Sequence, residues 1–503
     1  MRVRSWVGPL VLAVAAASGM PATAAPATGA TPSRYGTTRG FQLVGHTTLA
    51  NRGENSPIAV AGKCVYVGDR YAHFGVAIVD VSNPRKPRQV GKIPPVSGAT
   101  QREMRADAGL GVLVVMSYSL SGVGSTKGND FKIYDISKDC TKPRLASTYD
   151  FGARSPHEFF LWKDRAHPGR ALLYTTMTIY APDLQVIDIT DIAAPKLVAV
   201  YDSATDGVVK PLDAFNSDGG YLHSISVSDD GTRAYMGTWD YGFYVADTST
   251  LAQGLPGGAV VPRGAPLMYD GNVHGAVKVP GKNFAVLVDE GYAGVVDPYL
   301  GTGGCPFGWL HMADISNEAL PTLTGGEYKL PENDCDRAKA LNGTFTSHNQ
   351  TVFPNIVLMA YYGGGLRAVD ISNPAAPREA GVFVPKPTFE PDVRDTRLYF
   401  GGNKAPQWTG AMWSYPVVQN GLIYVVDIDL GLYILRYTGP RAAEVARAPF
   451  VEGNSAPSRY TAKDPVIRRP RSLVLSAPTY VRDRYADAPL PKGLRLGGFF
   501  CVT

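Results

Sequence analysis

One phrase recurs along this chain, and its recurrence constrains the fold before any residue propensity does. A hydrophobic run ends in Asp, then Ile or Val, then Ser or Thr, then usually a proline-bearing turn. It reads VAIVDVSNPRKP at 76–87, FKIYDISKDCTKP at 131–143 and LQVIDITDIAAP at 184–195. It returns as FYVADTST at 243–250, LHMADISNEALP at 310–321 and LRAVDISNPAAP at 366–377, with a degraded copy, LYILRYTGP, at 432–440. The marker aspartates Asp80, Asp135, Asp188, Asp247, Asp314 and Asp370 stand 53–67 residues apart. A unit of this size cannot bury its own hydrophobic face and must stack on its neighbours.

Each unit reads as β-structure throughout. In the fourth, HSISVS alternates by two, DDG turns, and RAYMGTW and YGFYVAD follow. An inner strand (a), a middle strand (b) and the phrase itself (c) are followed by a fourth strand (d) beyond the prolines, such as RQVGKI at 88–93 and REAGVF at 378–383. Proline sits just outside the strands, where a missing N–H costs least. Seven such units predict an all-β, seven-bladed β-propeller of four-stranded antiparallel blades. The last unit lacks a d strand, and FQLVGHT at 41–47 is a stray one. The expectation is that this N-terminal strand closes the last blade.

These phrases resemble the LVIVD-repeat family over roughly residues 41–438. The resemblance implies an exported bacterial β-propeller and carries no settled shared activity.

The first residues, MRVRSWVGPLVLAVAAASGMPATAA, place two arginines before an apolar run and an Ala-Thr-Ala site. They read as a secretory signal peptide at 1–24, too short to span a membrane, which predicts a secreted, extracellular protein. A flexible segment is expected at 25–40, the propeller at 41–440, and an Arg/Pro-rich extension packed on or beside it at 441–503. The chain carries a net charge of +5. Two of its arginines lie in the leader, so the mature charge is too even for a nucleic-acid partner. Nothing in the sequence demands more than a monomer.

Five cysteines suit export. Cys64 opens strand b of blade 1 and Cys140 lies in the c–d turn of blade 2, on the same propeller face. Cys305 and Cys335 fall in loops of the opposite face at blade 5. The pairs Cys64–Cys140 and Cys305–Cys335 are expected, with Cys501 left over.

Histidine opens strand a in four consecutive blades: His157, His223, His274 and His348, half of the eight in the chain. Strand a lines the channel, so four imidazoles are expected to ring its mouth. Such a ring suits iron, copper or zinc, with Glu158 and Glu290 as outer acceptors orienting the ligands. The remaining blades offer Glu54 or Asn55, Arg102 or Glu103, and Trp413 or Ser414 in the same register. Seven-bladed carotenoid-cleaving oxygenases have a similar arrangement of axial histidines around iron, but none of their local sequence motifs is present. Histidines that merely satisfy backbone or buried water are the competing reading. The marker aspartates read as turn formers, and His46, His73, His167 and His311 as surface or packing residues. No nucleophile elbow, phosphate loop, HExxH or CxxC stands in the chain.

The longest insertions, at 117–130, 202–220, 289–308, 327–346 and 386–410, are all b–c or d–a loops. They gather on the face where the histidines begin and bring aromatics such as Tyr71, Tyr118, Trp239, Tyr362 and Trp408. Two functions follow from the sequence. One is an extracellular scaffold gripping a small molecule, glycan or protein through this loop face. The other is a metal-dependent oxidoreductase built on the four histidines.

Overall fold

The structure is a computed structural model that describes residues 36–101, 103–121, 128–177, 182–203, 222–239, 241–269, 271–291, 307–334, 336–337, 344–393 and 411–456. The signal peptide, Arg102, Cys305, Cys335, Cys501, Trp408 and the tail from 457 lie outside the described residues.

Seven antiparallel sheets follow one another along the chain. Their inner strands are Asn55–Ala61, Glu103–Asp107, Pro156–Lys163, Ser224–Val227, Val273–Lys278, Gln350–Val352 and Val417–Gln419. The last sheet takes its outer strand from the N-terminus. Phe41–Thr47 pairs with Gly431–Tyr437 in a register running from Phe41 opposite Tyr437 to Thr47 opposite Leu432. This closes the seven-bladed ring.

Each blade buries its hydrophobic faces on its two neighbours, and a separate apolar core fills each of the seven interfaces. The closing interface is built like the rest: Val417, Tyr424 and Ile434 of blade 7 meet Ile58, Val65 and Val79 of blade 1.

The repeated phrase fixes both its own turn and the next contact. The marker aspartates accept the backbone N–H two residues on at 2.7–2.9 Å, from Ser82, Ser137, Thr190, Ser249, Ser316 and Ser372. The turn that follows docks on the outer strand of the preceding blade. The fit is tight at Gly45, Gly264 and Gly326, where an added Cβ would lie 2.0 Å from the Pro84 carbonyl, 2.0 Å from that of Ala319 and 1.9 Å from that of Pro374. Cys64 and Cys140 form a disulfide between blades 1 and 2, with Cα atoms 6.0 Å apart.

The described residues that flank the repeats at either side pair with the blades. At the end of the segment expected to be flexible, Thr38–Arg39 pairs with Phe383 and Val382, extending blade 6 outward. After blade 7 the chain forms a short helix, Ala442–Ala446, against the a–b turns. Asn355 donates to Glu444 from both its backbone (2.9 Å) and its side chain (2.7 Å) there. The chain then turns into the channel. Phe450–Val451 adds a fifth strand on the inner side of blade 7, pairing with Gln419 and Val418. The described start of the extension is thus paired to the inner edge of blade 7, where strand backbone groups take a further partner.

Candidate metal centre

The four histidines stand at or just before the inner strands of blades 3 to 6, and local irregularity aims them. Blade 3 has a bulge between Pro156 and Phe159, and blade 5 has one between Val273 and Gly275. A bulge breaks the two-residue alternation of a strand and re-aims a side chain. Consecutive residues His157 and Glu158 can thus both serve the channel. Thr176 ties the neighbouring backbones together: its hydroxyl accepts from Glu158 N at 3.1 Å and donates to the His223 carbonyl at 2.9 Å.

The imidazoles form a continuous chain of rings. Centroids are 4.3 Å apart for His157 and His223, 4.0 Å for His223 and His274, and 4.0 Å for His274 and His348. The Nε2 atoms of His157 and His223 are 2.9 Å apart. Glu158 and Glu290, expected as outer acceptors, bring their carboxylate oxygens to the Nε2 atoms of the other two histidines. His274 Nε2 lies 3.5 Å from Glu158 Oε1 and 3.6 Å from Glu290 Oε2, and His348 Nε2 lies 3.1 Å from Glu290 Oε1. Donor atoms of Glu158, His274 and His348 all fall within 4.8 Å of one another, as do those of His223, His274 and Glu290. All six residues are at most 3% exposed. These buried triads can hold a metal ion. His157 joins neither triad and reaches the group through His223.

Aromatic residues roof the cluster. Trp239 stacks on His223 at 4.7 Å, Trp413 lies 4.6 Å from His348, and the Tyr362 hydroxyl donates to Glu290. Trp239 and Tyr362 occupy equivalent places just past strand b, and both have positive φ, +41° and +38°. Bulky residues adopt that conformation only when their surroundings impose it, and such strain gathers at functional sites. Backbone bonds to the next blade impose it here, from Trp239 N to the Val273 carbonyl and from Tyr362 N to that of Met412.

The other blades use the register differently. Asn55 donates to the Ile428 carbonyl, Glu54 meets His73 at 2.6 Å, and Glu103 pairs with Arg105 at 2.5 Å. The remaining histidines bind locally: His46 bonds the Leu430 carbonyl, His167 bonds Asp164, and His311 bonds Asp289. Burial lowers the His311 pKa, but hydrogen bonds to Asp289 and Glu327 outweigh it and push it up to about 9. The residue that sequence reasoning passed over is Asn454. It follows the last repeat, yet it donates to Glu158 Oε2 at 3.3 Å. Its only sequence signal is a Gly-Asn pair beyond the final strand.

The LVIVD repeat matches this sequence at residues 52–93 and 355–384, over blade 1 and blade 6. The chain carries LVIVD repeats. Among solved structures, this LVIVD-repeat propeller is similar to the β-propeller domain of Myceliophteria thermophila Cps50 (Swd1), at 10% identity and a TM-score of 0.45 over 79% of this chain and 98% of that one. It is similar also to Saccharomyces cerevisiae Sqt1, at 8% identity and a TM-score of 0.46 over the same shares. No curated protein matches its sequence. Among the described residues, no helix is long and apolar enough to cross a membrane.

Proposed function

We propose that this is an exported LVIVD-repeat propeller whose ligand is a divalent transition metal, held in the channel by His223, His274, His348, Glu158 and Glu290. The observation that carries the reading is the spacing of the donors. Two ligands about 2.1 Å from one ion stand about 3.0 Å apart at a right angle and about 3.4 Å apart at a tetrahedral angle. Of the carboxylate–imidazole distances, 3.1 Å falls within that range and 3.5 and 3.6 Å fall just beyond its tetrahedral end. A dication between Glu158 and Glu290 balances two carboxylates, while neutral imidazoles complete a mixed nitrogen–oxygen set suited to iron, zinc, copper or nickel. Burial makes the balance worth more, because ionised groups away from water are costly unless matched. The leader sequence and the Cys64–Cys140 disulfide support export.

Metal-dependent oxidoreductase chemistry is the second reading. It is favoured by the Tyr362 hydroxyl, which donates to Glu290 and is a proton donor beside the proposed ligands. Elemental analysis of the full chain tests the main proposal. The expected result is a stoichiometric transition metal, removed by a chelator and not retained by a folded His274→Ala variant. A wild-type protein that takes up no iron(II), cobalt(II), copper(II), nickel(II) or zinc(II) when each is offered would overturn it.

A further inference from the structure

The segment that enters the channel from the a–b turn face ends against the cluster. Val451 pairs with Val418, and Glu452 lies 3.9 Å from Arg105 of blade 2. Gly453 passes so close to Tyr415 that an added Cβ would lie 1.9 Å from the ring. Asn454 then takes φ +52°, a conformation that asparagine tolerates better than most residues. Its N–H donates to the Gln350 carbonyl at 2.8 Å, and its Oδ1 accepts from Gln350 N at 3.3 Å. The Ser455 carbonyl accepts from Val352 N at 3.0 Å. The Asn454–Ser455 backbone is thus pinned to the inner strand of blade 6. Its amide spans to blade 3 and donates to Glu158 Oε2, while Glu158 Oε1 faces His274.

We infer that residues 450–456 form the floor of the metal centre and that Asn454 is a positioning residue that aims Glu158 at the ion. The inference rests on the metal reading above. An amide N–H can only donate, so it holds one carboxylate oxygen and leaves the other to face His274. With this floor in place, the ion and anything bound to it approach from the loop face. The C-terminal segment is then part of the site, although it lies outside every repeat.

The test is cobalt(II) titration of the full chain, followed by optical absorption, for wild type, Asn454→Ala, Glu158→Gln and the double variant. Loss of an outer partner costs about 10–100-fold in metal affinity. Asn454→Ala is expected to lose that much and to shift the cobalt spectrum. In the Glu158→Gln background the same change should cost less than about threefold, because the two residues act through one contact. Asn454→Asp keeps the size and the tolerance for positive φ but sets a carboxylate against Glu158, and it should bind more weakly than Asn454→Ala. It also serves if the alanine variant does not fold. If Asn454→Ala and Asn454→Asp both match wild type while Glu158→Gln loses affinity, the floor has no positioning role and the inference falls alone. Full additivity of the two changes overturns it too. A wild type that takes up neither cobalt nor any of the other four metals removes the metal reading and this inference together, and one that takes up only another of them is titrated with that metal instead.

Discussion

His274 of blade 5 and Arg105 of blade 2 both reach from inner strands and are both buried, yet they meet different company. Arg105 is enclosed by carboxyl groups and an aromatic ring. Glu103 lies 2.5 Å away and Glu452 3.9 Å away, and the Tyr415 ring centroid sits 4.0 Å from the guanidinium. Tyr415 also donates to Glu103 at 3.1 Å and to the Met104 carbonyl at 2.6 Å. A fixed cation is thus part of the chain on this side, and the contacts brace blade 2 to blade 7 and to the incoming tail. His274 stands among two imidazoles and two carboxylates whose donor atoms share a small volume. The register that gathers donors on blades 3 to 6 holds Glu103 in blade 2, where it serves the brace instead. What separates the two uses is whether the chain supplies the cation itself.

The largest expected effect breaks the brace. Arg105→Leu leaves Glu103 buried without its cation and should cost about 3–5 kcal/mol of stability in denaturant unfolding. A loss below about 1 kcal/mol would mean that the pair is incidental. The next effect lies on the other arc. Cobalt(II) at about 100 times its dissociation constant should stabilise wild type by about 2.7 kcal/mol, the linkage expected for one site that exists only in the folded state. His274→Ala should gain nothing at the same concentration. Equal stabilisation of both proteins would place cobalt elsewhere and erase the distinction between the arcs.

Much of this architecture was legible in the sequence, and the reason is repetition. The Asp-Ile-Ser phrase counted the blades, because each blade must dock on the next through the same turn. The lone strand at Phe41–Thr47 stood out because blade 7 lacked its own outer strand. His157, His223, His274 and His348 were legible because ring closure converts equal register into nearness. Glu290 was expected near the ring as an outer acceptor, but no register signal put its carboxylate beside His274 itself. It follows strand b, where Asp289 pairs with Val273 beside the bulge that re-aims His274. The channel segment was illegible for a related reason. Phe450 and Val451 pair over two residues, too short for any alternating pattern, and Asn454 acts through a neighbour nearly 300 positions away.

The last effect, read as a slope with pH and not as the loss of a contact, sharpens the comparison at the point where the two arcs meet, in Glu452. Burial is the largest influence on this carboxyl and outweighs the pull of Arg105 and Lys163, with Asp107 adding to the rise, so its pKa is pushed up from 4.5 to about 8. The folded protein therefore keeps a proton that the unfolded chain has lost. Stability from this group is complete below about pH 4.5 and declines as pH rises to about 8, by at most about 1.4 kcal/mol per pH unit. Urea unfolding midpoints of the chelated protein should fall across that window, and Glu452→Gln, which stays neutral, should flatten the slope. A slope that survives the substitution would assign the proton to another group. A slope that vanishes would show that protonation of the tail, and not its two-residue strand alone, keeps it seated beneath the histidines.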